Sequence, residues 1–284
     1  MEALETRLKN LETLPAVPAA LAKLVSLLNE TEPDSAEVEA MVEADQAVSL
    51  AVLRMANSAA LGGQEKLSSI GEAVRRLGTR NLMKVAITHL AGAALNGSGK
   101  GYGLVGKQPW EGAVGGGIAA EVVATTLAPA TTIDPGVAFT AGLLRDCGKL
   151  AMDHLVGVEQ LKGCMLDRSA GDQIALENKE YGFDHAELGA LLAKHWGLSE
   201  DLQDAIRYHH APPSDGSETL AEVIYIAEIL CAHLGIGMGL DGMNYVLHTE
   251  VLERHQIDPI LFFQMMERVA DRFAEFEPRL ADNP

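Results

Sequence analysis

The stretch Gly142-Leu143-Leu144-Arg145-Asp146-Cys147-Gly148-Lys149-Leu150 sets an adjacent base and acid among apolar residues, with a second base three positions on. The flanking pattern predicts one continuous helix over 136–155, so the three charges ride on a helix and not on a loop. An arginine stays protonated at any accessible pH and has no lone pair to give a metal, whereas an aspartate can ligate one. Of the adjacent pair Arg145-Asp146, only the acid is therefore a candidate ligand.

Outward from this stretch, helix signals dominate and strand signals are scarce. Val17, Leu21, Leu24, Val25 and Leu28 recur at helical spacing after Leu14-Pro15-Ala16-Val17-Pro18, whose prolines suit a helix entry. Asp34 or Ser35 caps a second helix ending near Asp45, and a third runs from Gln46 to Ala59 until Gly62-Gly63 breaks it. Ser68 or Ser69 opens a short helix that stops at Gly78, and Thr79 caps the next, to about Leu95. The Gly- and Ser-rich segment Asn96 to Gln108 reads as a loop between two helical lobes, 1–95 and 109–284. Beyond it, helices are expected at 109–128, 136–155, 157–169, 171–181, 185–196, 199–210, 218–234 and 258–276. The class is all-α.

Composition bounds the function. The chain has 284 residues and a net charge of −18, which repels phosphate backbones and anionic lipid and leaves no expectation of nucleic-acid or membrane partners. Arg75, Arg76, Arg80 and Lys84 form the densest basic cluster and read as a solvated helix face. No apolar run reaches the roughly 18–20 residues a membrane span needs, and the acidic start at Met1 does not resemble a signal peptide. Cys147, Cys164 and Cys231 are well separated and form no CxxC, which suits a reducing cytoplasm, with Cys147 packed in the core. Phosphate-loop and serine-hydrolase motifs are absent, and Gly115-Gly116-Gly117 reads as a close helix–helix approach.

The candidates for chemistry are Asp146, His185, His209, His210 and Glu228. Carboxylates and imidazoles converging from different helices suit a borderline metal. His209 and His210 point about 100° apart on a helix, so both reach one site only near a helix end, which Pro212 supplies. Each histidine taken alone is more often a helix-surface or hydrogen-bonded core residue than a ligand.

Several blocks, in order, resemble HDOD proteins, the signalling branch of the HD phosphohydrolase superfamily and relatives of HD-GYP proteins. They include Leu14–Pro18, Val42-Glu43-Ala44-Asp45-Gln46-Ala47, Leu53-Arg54-Met55-Ala56-Asn57-Ser58 and Ile70–Gly78. Ala138–Leu144, Phe183–Gly189, Trp196-Gly197-Leu198 and Tyr208-His209-His210 extend the match, which covers about 14–234. The resemblance implies an N-terminal helical bundle packed on an HD-like helical lobe. In the two-metal catalytic relatives the first ligand histidine falls just past a tryptophan, where this chain has Gly112 after Trp110. The histidine of their adjacent His-Asp pair falls on Arg145. Asp146 matches their bridging acid, while His185, His209 and His210 match the outer ligands of the other metal. Glu228 lies roughly at their last aspartate, and Lys149 matches a lysine that faces phosphate in some relatives. One metal position is thus stripped and the other nearly whole.

Two facing carboxylates need a cation between them. Arg145 is expected to supply it by pairing with Glu228 in preference to its own neighbour Asp146, because adjacent helical positions diverge. No cofactor is expected, except that one divalent ion (Mn, Fe, Zn or Mg) could occupy the residual site. Three readings follow: a non-catalytic signalling module acting on signalling proteins, a phosphohydrolase with an unconventional single-metal site, and a nucleotide or anion sensor near Lys149 and Arg145 without turnover. The balance of lost ligands leans away from an enzyme.

Overall fold

Helix α6 (Gln108–Leu127) is apolar on nearly every side, with Gly115, Gly116, Gly117, Ala119 and Ala120 among its buried residues. A helix without a polar face must be covered all round, and α7 (Pro135–Leu144), α13 (Thr219–Leu234) and α15 (Pro259–Leu280) pack against it. The computed structural model describes residues 19–28, 30, 32–57, 67–95, 99–128, 131–166, 172–217, 219–240 and 247–280. Within these the chain is helical and no strand occurs. The expected entry at Leu14–Pro18, the Gly62-Gly63 break and Asn96–Ser98 lie outside the described residues.

The N-terminal helices are α1 (Ala19–Leu28), α2 (Ser35–Glu43), α3 (Gln46–Ala56), α4 (Ile70–Leu77) and α5 (Thr79–Leu95). Asp34 caps α2, Asp45 caps α3, and Ser69 with Glu72 forms a reciprocal capping box on α4. Gly78 ends α4 at φ 75°, a conformation that an L side chain resists. Leu21, Leu24, Val38, Val42, Val52, Leu82 and Ile87 bury between these helices and join one core with the C-terminal segment.

Contacts across the chain also come from the basic cluster. Arg75 is exposed as expected, but Arg80 donates to Asp134 (3.0 Å) and to the Glu30 carbonyl (2.9 Å), and Lys84 pairs with Glu121. Arg76 reaches the Ala56 carbonyl. Three of the four bases are thus part-buried ties between helices, because the partner acids and carbonyls come from distant segments that periodicity does not reveal. The loop before α6 is tied as well. A 3-10 turn at Lys100–Tyr102 buries Tyr102, and Asp153 accepts the backbone N–H of Lys100 and of Gly101, both at 2.8 Å.

The expected helix over 136–155 is two helices. α7 stops at Leu144 and α8 (Gly148–Leu155) begins after three turn residues. Across the junction the bonds span three residues: Cys147 N–H to the Leu144 carbonyl and Lys149 N–H to that of Asp146. The tightened winding brings Gly148 against the next layer. A Cβ there would stand 1.8 Å from the carbonyl oxygen of His185, so only glycine allows this approach.

Past α8 come α9 (Val158–Leu166), α10 (Gln173–Tyr181), α11 (His185–His195) and α12 (Glu200–Tyr208), with α14 (Thr249–Arg254) between α13 and α15. Asp184 caps α11 by accepting the Glu187 N–H (2.8 Å). Trp196 packs on the core while His195 beside it is exposed.

The close approach expected at Gly115–Gly117 is present. A Cβ on Gly116 would lie against Arg145 Nη1 and 2.7 Å from the Gly142 carbonyl oxygen, whereas one on Gly115 would meet the Cγ2 methyl of Ile236 and no backbone. Gly116→Ala is expected to cost about 1–3 kcal/mol or more through overpacking against backbone, and Gly115→Ala less. Chemical denaturation of the two variants measures this, and equal costs would contradict it.

Candidate functional site

The turn between α7 and α8 carries Arg145 and Asp146 into a polar centre within a mostly apolar core. Arg145 is 3% exposed. Its Nε donates to Glu228 Oε2 at 2.5 Å, its Nη1 to the carbonyls of Gly112 (3.0 Å) and Gly142 (2.9 Å), and its Nη2 lies 3.3 Å from Asp146 Oδ2. The expected Arg145–Glu228 pair is formed. The expected divergence from Asp146 is not, because residues 145–147 wind more tightly than an α-helix and one planar guanidinium spans both acids. Burial opposes charge on Arg145, but Glu228 and Asp146 outweigh it and raise its pKa. Burial likewise works against a charged Asp146, yet Lys149 and Arg145 hold it well below the usual carboxylate range.

Four side chains converge on the other side of Asp146. Ligand-capable atoms of Asp146, His185, His209 and His210 all lie within 4.8 Å of one another. His185 Nε2 faces His210 Nε2 at 3.0 Å, and lies 3.7 Å from Asp146 Oδ1. His209 Nε2 is 4.0 Å from the same oxygen. The two adjacent histidines meet there because α12 ends at Tyr208 and His209 is its C-cap. This group could hold a metal ion. Glu228 is not one of the four; it belongs to Arg145.

The donor set fits a cation in detail. His209 Nδ1 donates to the Ile206 carbonyl (2.6 Å), which leaves Nε2 as a lone pair. That atom and Asp146 Oδ1 are buried and have no hydrogen-bond partner. Two facing ring nitrogens at 3.0 Å need a proton or a cation between them. Burial, only partly opposed by Asp146, lowers His209 to about 4, and burial with the neighbouring histidines lowers His210 well below its ordinary value. Both rings are therefore held toward the neutral form, the one able to donate a lone pair. Three imidazoles and one carboxylate suit zinc, cobalt or iron better than magnesium or calcium.

Sequence reasoning missed the residue behind His185. Glu177 is 0% exposed. It accepts the His185 backbone N–H (2.7 Å) and Nδ1–H (2.9 Å), and Gln173 Nε2 donates to it at 3.0 Å. Burial lowers the His185 pKa and Glu177 more than reverses it. A carboxylate on one ring nitrogen fixes the tautomer and aims the other at the site. The signal was present: Gln173, Leu176 and Glu177 share one buried face of α10, with polar residues where apolar ones belong. Lys149 Nζ sits 3.0 Å from Asp146 Oδ1 and 5.1 Å from the Tyr102 ring centre. Cys147 is buried and its thiol is pushed up by burial and by Asp146, which makes it an inert packing group.

Fold and site together define an all-helical protein with a buried Asp-His cluster beside a double ion pair. A family model described as HDOD domain matches residues 14–212, and the chain belongs to the HDOD family. An uncharacterized protein of Treponema pallidum (strain Nichols) is 26% identical over 210 residues, covering 72% of this chain and 39% of that protein, well under two thirds of its length. Among solved structures, an HDOD domain protein of unknown function from Geobacter sulfurreducens aligns with TM-score 0.70 and 22% identity over 98% of this chain and 96% of its own. A candidate signal transduction protein from Marinobacter aquaeolei VT8 gives 0.75 and 22%, over 95% and 60%. A candidate phosphohydrolase from Shewanella amazonensis SB2B gives 0.65 and 24%, over 96% and 94%. At these identities the structures show a shared fold.

Arg145→Ala leaves two carboxylates facing each other and is expected to destabilise by about 3 kcal/mol, the low end for a broken buried pair because both acids are part-exposed. Urea unfolding measures it, and unchanged stability would count against the double ion pair. Glu177→Gln is expected to weaken Co2+ uptake by roughly 10–100-fold, read by titration of the visible cobalt spectrum; unchanged affinity would remove Glu177 from the site.

Proposed function

We propose that this chain is a non-catalytic signalling module that acts through contacts with signalling proteins and keeps a single-ion site where its catalytic relatives carry two. The observation that carries the reading is Arg145, buried and ion-paired to Asp146 and Glu228 at once. A guanidinium there pairs with both acids, keeps its charge at any accessible pH, and can neither ligate a metal nor activate water.

Neighbouring backbone supports the same reading. Gly112, which the resemblance aligns with a lost ligand, lies against Gly237, and a Cβ on Gly112 would stand 3.0 Å from Gly237 Cα. A longer side chain at 112 has no room. The space lined by Gly112, Leu143, Asp146, Lys149 and Gly237 is a cavity of about 20 Å3. A water needs roughly 10–15 Å3, so this space beside Asp146 and Lys149 holds about one water.

In the residual site Asp146, His185, His209 and His210 would hold the ion, with Glu177 orienting His185. An ion so bound would polarise a water or a ligand oxygen. A second reading, a single-metal phosphohydrolase, is favoured by this donor set and by the name of the Shewanella relative. The anion-sensor reading is weaker, since Arg145 and Lys149 are both engaged by carboxylates. No described helix is long and apolar enough to cross a membrane. The acidic balance argues for protein partners over nucleic acid, and three unbridged buried cysteines suit a cytoplasmic setting.

Metal analysis of the purified chain after loading with Zn2+, Mn2+ or Fe2+ is expected to give one ion per chain and no second. Generic phosphodiester and phosphomonoester substrates should stay at background with each metal. Two ions per chain together with turnover would overturn the proposal, and turnover with one ion would favour the second reading.

A further inference from the structure

We infer that Lys149 sets the affinity of the ion site, acting as an internal cation that competes with a metal for Asp146. The inference rests on the single-ion reading of Asp146, His185, His209 and His210.

Asp146 has two oxygens and each already faces a cation. Oδ2 lies 3.3 Å from Arg145 Nη2, which Glu228 and two carbonyls hold in place. Oδ1 is the oxygen nearest His185 Nε2 and His209 Nε2, so it is the one that can serve a metal with them. Lys149 Nζ is 3.0 Å from that same oxygen. The contact is an ion pair and not an aligned hydrogen bond, since Oδ1 receives no donor. It is therefore close and yet replaceable.

Displacing the ammonium needs space beside Asp146, and a cavity of about 20 Å3 adjoins it. Lys149 lines the small cavity together with Gly99, Leu104 and Gln108, and its four-carbon stem can move its charge into that space. Two cations cannot share one carboxylate oxygen in a poorly solvated core without strong repulsion. Metal entry must then push the ammonium off Oδ1, and the work of doing so is subtracted from metal affinity. Conversely, the ion-free protein is already electrically complete, because Arg145 and Lys149 together neutralise Asp146 and Glu228. The fold should not depend on a metal.

A residue that merely lines a metal site weakens binding when altered. An internal competitor does the reverse, and this separates the two roles. The test is Co2+ titration of the full chain, followed by the visible spectrum and by Zn2+ competition, for wild type, Lys149→Met, Lys149→Gln and Lys149→Arg. Lys149→Met and Lys149→Gln are expected to tighten Co2+ binding on the order of tenfold or more, within the usual range of coupled binding events, while Lys149→Arg stays near wild type. Wild type should stay folded in chelator, and Co2+ should raise the melting temperature of Lys149→Met more than that of wild type. If the wild type binds Co2+ and both neutral variants, folded by circular dichroism, bind it no more tightly, the role of Lys149 is overturned and the ion site stands. If neither wild type nor variants take up Co2+, the single-ion reading fails and the inference with it. Should Lys149→Met not fold, Lys149→Gln, which keeps a polar tip, carries the comparison.

Discussion

The guanidinium of Arg145, wedged between Asp146 and Glu228, is the constraint around which the core is organised. A buried arginine is tolerable only where its charge and its N–H groups are answered. Here two carboxylates and two backbone carbonyls answer it. Those partners come from α6, α7, α13 and the turn after α7, so the polar centre ties together the most closely packed helices. One glycine of α6 follows from it: Gly116 is bare because Nη1 and the Gly142 carbonyl fill the place of its Cβ.

The same arrangement divides the centre into two unlike halves. On the Arg145 side, positive charge is built into the chain and cannot leave. On the histidine side, His209 Nε2 and Asp146 Oδ1 are buried without a hydrogen-bond partner and present lone pairs that a cation can use. Glu177 aims one of those rings and Lys149 stands at the shared oxygen. A hydrolytic centre with two ions needs exchangeable cations on both sides. A scaffold or a single-ion sensor needs them on one side or none.

Much of this was legible beforehand. Apolar spacing, capping residues such as Asp34, Ser69 and Asp184, and stops such as Gly78 gave most helices to within a few residues. The four converging residues were legible through ordered motif blocks and not through spacing, since nothing in the separation of Asp146 from His209 shows that they meet. Glu177 escaped because an acid on a helix is normally read as solvated. The ties of Arg80 and Lys84 escaped for the same reason, their partners being 54 and 37 residues away.

The amino-acid sequence by itself determined an all-helical protein, an arginine that cannot ligate a metal beside the acid Asp146, and the chemical types of the candidate donors. These are local properties: helix periodicity, backbone capping and the protonation of a guanidinium need no distant partner. Tertiary structure alone decided that the helix breaks at 145–147, that Arg145 spans both acids, and that Lys149 and Glu177 join the site. Those outcomes depend on which backbones approach within a few ångströms, and that is set by the packing of the whole core around bare glycines.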